Sequence, residues 1–149
     1  MSEHTAPRYI EATRMDAIFN GLVGRLTAAG ISLKGSRVLA VRGRTSGEWR
    51  TVPVNVLTVD GVRYLVAPRG QTQWVRNIRA AGGGELRLGR KVEPFTVTEL
   101  ADDAKAPVIR AYLREWAWEV GRFFDGLTKD ATDAEIDAVA PGFPVFRIA

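Results

Sequence analysis

The chain has no cysteine and a single histidine, His4. The first absence excludes disulfides, thiolate metal sites and a cysteine nucleophile. The second removes the base of a Ser-His-Asp triad, because His4 lies in the N-terminal arm and reads as a surface residue. With no Cys-x-x-Cys, His-x-x-x-His or His-Glu-x-x-His pattern, zinc chemistry lacks ligands, and no metal site is expected. No Gly-x-x-x-x-Gly-Lys run is present, which excludes a P-loop. No apolar run approaches the roughly 20 residues of a membrane span. The opening Met1-Ser2-Glu3-His4-Thr5-Ala6-Pro7 has no apolar stretch for a secretory signal, so a cytosolic location is the expectation. The chain also lacks blocks of lysine. Its net charge of +4 is carried by dispersed arginine, a pattern that suits a discrete anionic ligand better than a nucleic-acid stripe.

What is present is one domain's worth of sequence: 149 residues, enough for a single core and too few for two. Helical spacing of Met15, Ile18, Phe19, Leu22, Val23 and Leu26 predicts a helix over about residues 13–29, begun by Thr13 and stopped by Gly30. It reads as a cover over a sheet, with a weak membrane-surface contact as the alternative. Strands are expected at Val38–Val41, Arg50–Val59 and Val62–Ala67, the last two joined at the hairpin signal Asp60-Gly61. A short helix capped by Thr72 follows, with Val75 and Ile78 inward. Gly82-Gly83-Gly84 ends it. Glu85–Leu88 then pairs with Lys91–Leu100, where Pro94 marks an edge or a bulge. Further helices are expected over about 103–120 and 132–140, the latter opened by a Thr132–Glu135 capping box. Pro144–Ile148 reads as a closing strand. Five or six strands, mostly in hairpins, predict a mainly β protein with capping helices (α+β), a small antiparallel barrel.

Between the first two strands lies Arg42-Gly43-Arg44-Thr45-Ser46-Gly47-Glu48-Trp49-Arg50. Glycine lets a turn expose backbone N–H groups, and arginine forks match phosphate and carboxylate oxygens. The stretch is an anion cradle or an ordinary hairpin with solvated arginines. Arg44, Ser46, Gly47 and Arg50 from this turn, and Arg69 and Arg76 from the segment after the third strand, would border one groove if the strands pair as expected. Trp74 would wall a ring there and Asn77 would hydrogen-bond it; alternatively Trp74 is core and Asn77 ends a turn. The chain offers cations and backbone donors but few groups for bond-making, which suits a bound cofactor that carries the reaction.

Gly43-Arg44-Thr45-Ser46-Gly47, followed by Arg50-Thr51-Val52-Pro53-Val54, resembles the Gly-Arg-x-Ser-Gly…Arg-x-x-Pro signature of deazaflavin-dependent nitroreductases, members of the split β-barrel flavin and deazaflavin oxidoreductases. Trp74-Val75-Arg76-Asn77-Ile78-Arg79-Ala80 resembles that family's Trp-x-x-Asn-Leu-x-Ala signature. The likeness spans about Val38 to Leu100. It implies a split, FMN-binding-like β-barrel that binds coenzyme F420, an 8-hydroxy-5-deazaflavin with a phosphodiester and a glutamate tail. Arg44, Thr45, Ser46, Gly47 and Arg50 would hold the phosphate and tail, with Arg69 at a further basic position. Val52, Pro53, Val54, Asn55, Val66, Ala67 and Pro68 would lie along the cofactor, with Trp74 and Asn77 closing the ring end. Pro68 stands where nitroimidazole-activating members place a serine, so the hydroxyl those members offer an acceptor is missing. Tyr112, Trp116 and Trp118 are the candidates for a substrate wall, with core packing the alternative role for at least one of them. The implied activity is hydride transfer from reduced F420 to a quinone, enone or nitro compound, with a homodimer as the implied assembly. An FMN-binding barrel and a non-catalytic carrier of F420 or a lipid-like ligand are the alternatives.

Overall fold

The computed structural model describes residues 36–120 and 130–149, with side chains described only to Trp116 in the first stretch. The expected helix over 13–29, His4 and the side chain of Trp118 lie outside the described residues. Among the described residues there are seven strands, β1 (Ser36–Arg42), β2 (Trp49–Asn55), β3 (Leu57–Val59), β4 (Val62–Val66), β5 (Gly83–Leu88), β6 (Lys91–Glu99) and β7 (Val145–Ile148). Among the described residues three α-helices accompany them, α1 (Gln73–Ala81), α2 (Ala106–Val120) and α3 (Asp133–Val139). Every pairing is antiparallel, in the order β2-β1-β5-β6-β7-β4-β3.

The strand expected over 50–59 is two strands, broken at Val56. Asn55 still pairs with Ser36 of β1, while Leu57 already pairs with Tyr64 of β4. β2 and β3 occupy opposite edges of the sheet, yet one residue joins them. The sheet must therefore curl so that its two edges approach at Val56, a half-barrel in which β2 pairs only with β1 and β3 only with β4 among the described residues. β6 turns the other corner: residues up to Thr96 pair with β5, and those from Val97 pair with β7. Pro94 lies in the part of β6 that pairs only with β5, so its missing N–H breaks no ladder on the other side.

Period-two alternation divides the apolar side chains between two cores. Leu39, Val41, Leu65, Leu86, Phe95 and Phe146 fill the barrel, and Val75 and Ile78 of α1 close one mouth over them. The opposite faces of β3, β4 and β7 present Leu57, Val66 and Val145 to α2 and α3. The expected capping box opens α3, with Thr132 Oγ1 accepting the Glu135 N–H and Glu135 Oε1 accepting the Thr132 N–H. Lys105 is buried but paired, its ammonium donating to Ala140 O at 3.0 Å and meeting Asp102 at 2.7 Å.

At the mouth away from α1, Arg63 of β4 makes a two-pronged ion pair with Glu93 of β6, one prong at 2.9 Å. Hydrogen bonds from Arg63 hold the Glu93 carboxyl below its ordinary value; desolvation opposes this, and the charges of Arg63 and Arg37 add to it. A depressed carboxylate stabilises the fold above the ordinary glutamate pKa, and that contribution is lost as pH falls through the folded-state value. Arg63 stays charged throughout. Both partners are substantially exposed, so solvent screening limits the pair to about 1 kcal/mol at most. Glu93→Gln is therefore expected to lower the urea midpoint slightly at pH 7, with the gap to wild type closing as the pH is lowered below 4.5. An undiminished gap at pH 3 would show that the pair is not its cause.

Candidate functional site

The turn between β1 and β2 is held by its own backbone. Gly43 N–H donates to Glu48 O at 2.8 Å, and Gly47 N–H donates to Gly43 O at 2.9 Å. Ser46 Oγ accepts the Glu48 N–H at 3.1 Å. A Cβ on residue 43 would come within 2.8 Å of that hydroxyl, and Gly47 has φ +73°. Each glycine and the serine thus has a structural role, and together they present Arg44 and Thr45 beyond the sheet.

The second wall follows β4. Ala67 N–H donates to Pro144 O, and a tight bend through Gly70 leads into α1. Val75 and Ile78 are fully buried, which seats the helix on the barrel mouth. One turn along, Asn77 is 5% exposed. Its Oδ1 accepts both the Arg44 backbone N–H at 3.1 Å and Arg44 Nη1 at 2.8 Å. A carbonyl oxygen with two lone pairs is thereby filled by one residue lying 33 positions away. These bonds lock the arginine turn to the helix.

Between the two walls is a cavity of about 670 Å³. Arg44, Thr45, Ser46, Arg50, Val52, Arg69, Trp74 and Asn77 line it, as do Val41, Gly43, Thr51, Thr72 and Gln73. Among the described residues no carboxylate faces it, so three guanidinium groups set its sign. Val41, Val52 and Trp74 give it an apolar side. The Trp74 ring meets Phe146 at 5.9 Å in the core and also lines the cavity.

Several expected site residues are placed elsewhere. Gly47 shapes the turn without lining the cavity. Pro53, Val54, Asn55, Ala67 and Pro68 are also off its wall. Val54 lies deeper in the barrel, packed on the interior core, and Ala67 is buried in that core. Arg76 is exposed on α1. Tyr112 and Trp116 take the core-packing role that was their alternative: each is 3% exposed, their rings pack 5.0 Å apart in the core between α2 and the sheet, and neither lines this cavity. Helical spacing marked their face as buried and carried no signal for which cavity it would serve.

Thr72 is a residue whose place in the cavity sequence reasoning missed. It stands at the N-cap position of α1, yet its side chain makes no capping bond. Its Oγ1 is buried with no hydrogen-bond partner. Among the described residues, no group of acidic or histidine side chains is arranged to hold a metal ion, and no helix is long and apolar enough to cross a membrane.

The family model described as F420H(2)-dependent quinone reductase matches residues 11–121. No curated protein matches the chain. Among solved structures, one described as an F420-H2 dependent reductase (FDR-A) is 20% identical with a TM-score of 0.54, covering 78% of this chain and 95% of its own. A structure described as a domain-swapped dimer is 19% identical with a TM-score of 0.54, covering 92% and 100%. General Stress Protein 26 from Bacillus anthracis str. Sterne is 14% identical with a TM-score of 0.52, covering 84% and 86%. These structural likenesses carry the split-barrel-like fold.

Proposed function

The chain belongs to the F420H2-dependent quinone reductase family, and from that premise we propose that it reduces a quinone-type acceptor in the cavity between the arginine turn and α1. Its cofactor is coenzyme F420, and it is an F420-dependent reductase. The observation that carries the site assignment is the shared cavity of Arg44, Arg50, Arg69, Trp74 and Asn77, with no carboxylate among its described lining residues. That donor set fits a ligand with a flat ring at one end and several negative charges at the other. When bound, the reduced deazaflavin supplies a hydride from its ring C5.

The chain's own residues bind, orient and exclude water. Arg44, Arg50 and Arg69 would hold the phosphodiester and glutamate tail, whose oxygens guanidinium forks match. Trp74 and Val52 flank the ring and keep solvent from it. Asn77 fixes Arg44, and its amide nitrogen remains to donate to the ligand. The described lining residues include no histidine, lysine, tyrosine or carboxylate, so their work is electrostatic and steric rather than proton transfer. The pairing of two copies is part of the same proposal, supported by the dimeric neighbour.

The test is titration of purified protein with F420 and with FMN, followed by a screen of quinones, enones and nitroarenes using reduced cofactor. The expected result is saturable quenching of F420 fluorescence that weakens as salt is raised, because exposed guanidinium groups are screened. FMN, which has a phosphate but no glutamate tail, is expected to bind more weakly. Turnover is expected to be fastest with quinones. Preferential FMN binding would overturn the cofactor assignment to this cavity, and tight F420 binding without turnover on any acceptor would make the protein a carrier.

A further inference from the structure

We propose that Thr72 and the open first turn of α1 form an anion-binding subsite inside the cavity, which takes an anionic oxygen of the deazaflavin cofactor; the inference rests on the F420 reading above. A threonine before a helix ordinarily turns its hydroxyl onto an N–H of the first turn. Thr72 has backbone angles suited to that role, φ −74° and ψ 174°, and does not do it. Only its carbonyl joins the helix, accepting the Arg76 N–H at 3.2 Å. The residue is 7% exposed, and its hydroxyl oxygen lacks any partner. A buried hydroxyl left unpaired destabilises a fold. The arrangement makes sense where a ligand supplies the missing acceptor.

Its position supports this. Thr72 stands on the cavity wall beside Gln73 and Trp74. A single χ1 step exchanges its methyl and hydroxyl, so the hydroxyl can turn to an arriving oxygen. The N–H groups of Gln73, Trp74 and Val75 open the helix and have no intrahelical acceptor. The first turn of α1 contains no acidic residue that would neutralise the positive end of the helix. Arg44, Arg50 and Arg69 line the same cavity. A threonine whose hydroxyl is one rotamer step from the cavity, a helix N-terminus and three cations therefore border one space. The chemistry they recognise is an anionic oxygen, present in F420 both in the phosphodiester and, by ionisation of the 8-hydroxyl, on the ring.

The test compares wild type, Thr72→Val and Thr72→Ser. Each is titrated by fluorescence with F420 and with its ring-and-ribityl fragment, which lacks the phosphodiester and tail. Thermal melting of each ligand-free protein is measured alongside. Thr72→Val is expected to bind F420 roughly tenfold more weakly, with a ligand-free melting temperature equal to or above that of wild type. Thr72→Ser, which keeps the hydroxyl, is expected to retain most of the affinity. An equal loss for the fragment assigns the oxygen to the ring; an unaffected fragment assigns it to the phosphodiester. Either pattern supports the subsite. Wild-type F420 affinity in Thr72→Val overturns it, as does an affinity loss matched by a lower ligand-free melting temperature, which is the signature of an ordinary cap. If wild type binds neither ligand, the cofactor reading falls and the subsite falls with it.

Discussion

Asn77→Leu is expected to weaken F420 binding by about 10- to 100-fold, chiefly because it releases Arg44. Leucine has nearly the same shape but no acceptor. Asn77 Oδ1 takes two hydrogen bonds from Arg44, one from the backbone and one from the guanidinium. A bond to a charged donor contributes roughly 1.5–3 kcal/mol, and without it the turn loses its anchor to α1. Arg44→Ala is expected to cause a similar loss by removing the cation itself. The informative measurement is the double variant. If Asn77 acts by holding Arg44, the combined loss will fall well short of the sum, with a coupling of about 1–3 kcal/mol. Simple additivity would show that the two residues act independently. Asn77→Asp separates position from charge. It preserves an acceptor for Arg44 and should keep the fold's stability, yet it places a carboxylate on a wall that has none among its described residues. Its affinity for an anionic ligand should therefore fall further than that of Asn77→Leu.

The turn and the helix that meet in this contact were legible in the sequence because their signals are local. Gly43, Ser46 and Gly47 each satisfy a requirement a few residues away, and Asp60-Gly61 forms its turn with both residues at positive φ. The Thr132–Glu135 box was readable on the same ground. The curl of the sheet was not. Nothing in Asn55-Val56-Leu57 distinguishes a strand that changes neighbours from one that continues, because the cause is the position of β1 and β4, neither adjacent in sequence to Val56. Tyr112 and Trp116 stayed ambiguous for a related reason: an apolar helical face reports burial, and the surface it buries against is fixed by topology. At the cavity the motif residues Arg44, Arg50, Trp74 and Asn77 stood out along the chain, while the unused hydroxyl of Thr72 was obscured by a good local expectation. Threonine before a helix predicts a cap so readily that an unused hydroxyl shows only in three dimensions.

The three consecutive glycines after α1 provide the largest expected stability effect, and they are expected to divide by mechanism. Along the chain they look like one helix stop. In the fold only Gly82 stops the helix, with φ +77°, a hydrogen bond donated to Ile78 O at 2.7 Å and open space where a Cβ would go. Gly82→Ala should cost the left-handed conformation alone, about 1–2 kcal/mol. Gly83 and Gly84 already belong to β5, and their difficulty is contact. A Cβ on residue 83 would lie 2.1 Å from the Phe95 carbonyl oxygen and 2.9 Å from Thr96 Cα. On residue 84 it would lie 2.5 Å from the Ala40 carbonyl oxygen. These are backbone atoms of the neighbouring strands β6 and β1, so no side-chain rotation relieves the clash and the strands themselves must separate. Because β5 sits between them inside the curled sheet, that displacement strains both ladders and the seat of α1. Gly83→Ala and Gly84→Ala are each expected to lose at least about 3–4 kcal/mol, a fall in melting temperature of roughly 10 °C for a chain of this size. The same displacement should loosen the Asn77–Arg44 contact, so F420 affinity should fall in any folded fraction. Thermal melts of the three alanine variants decide the matter: three similar falls would mean that chain flexibility at the helix end, rather than close strand approach, accounts for the glycines.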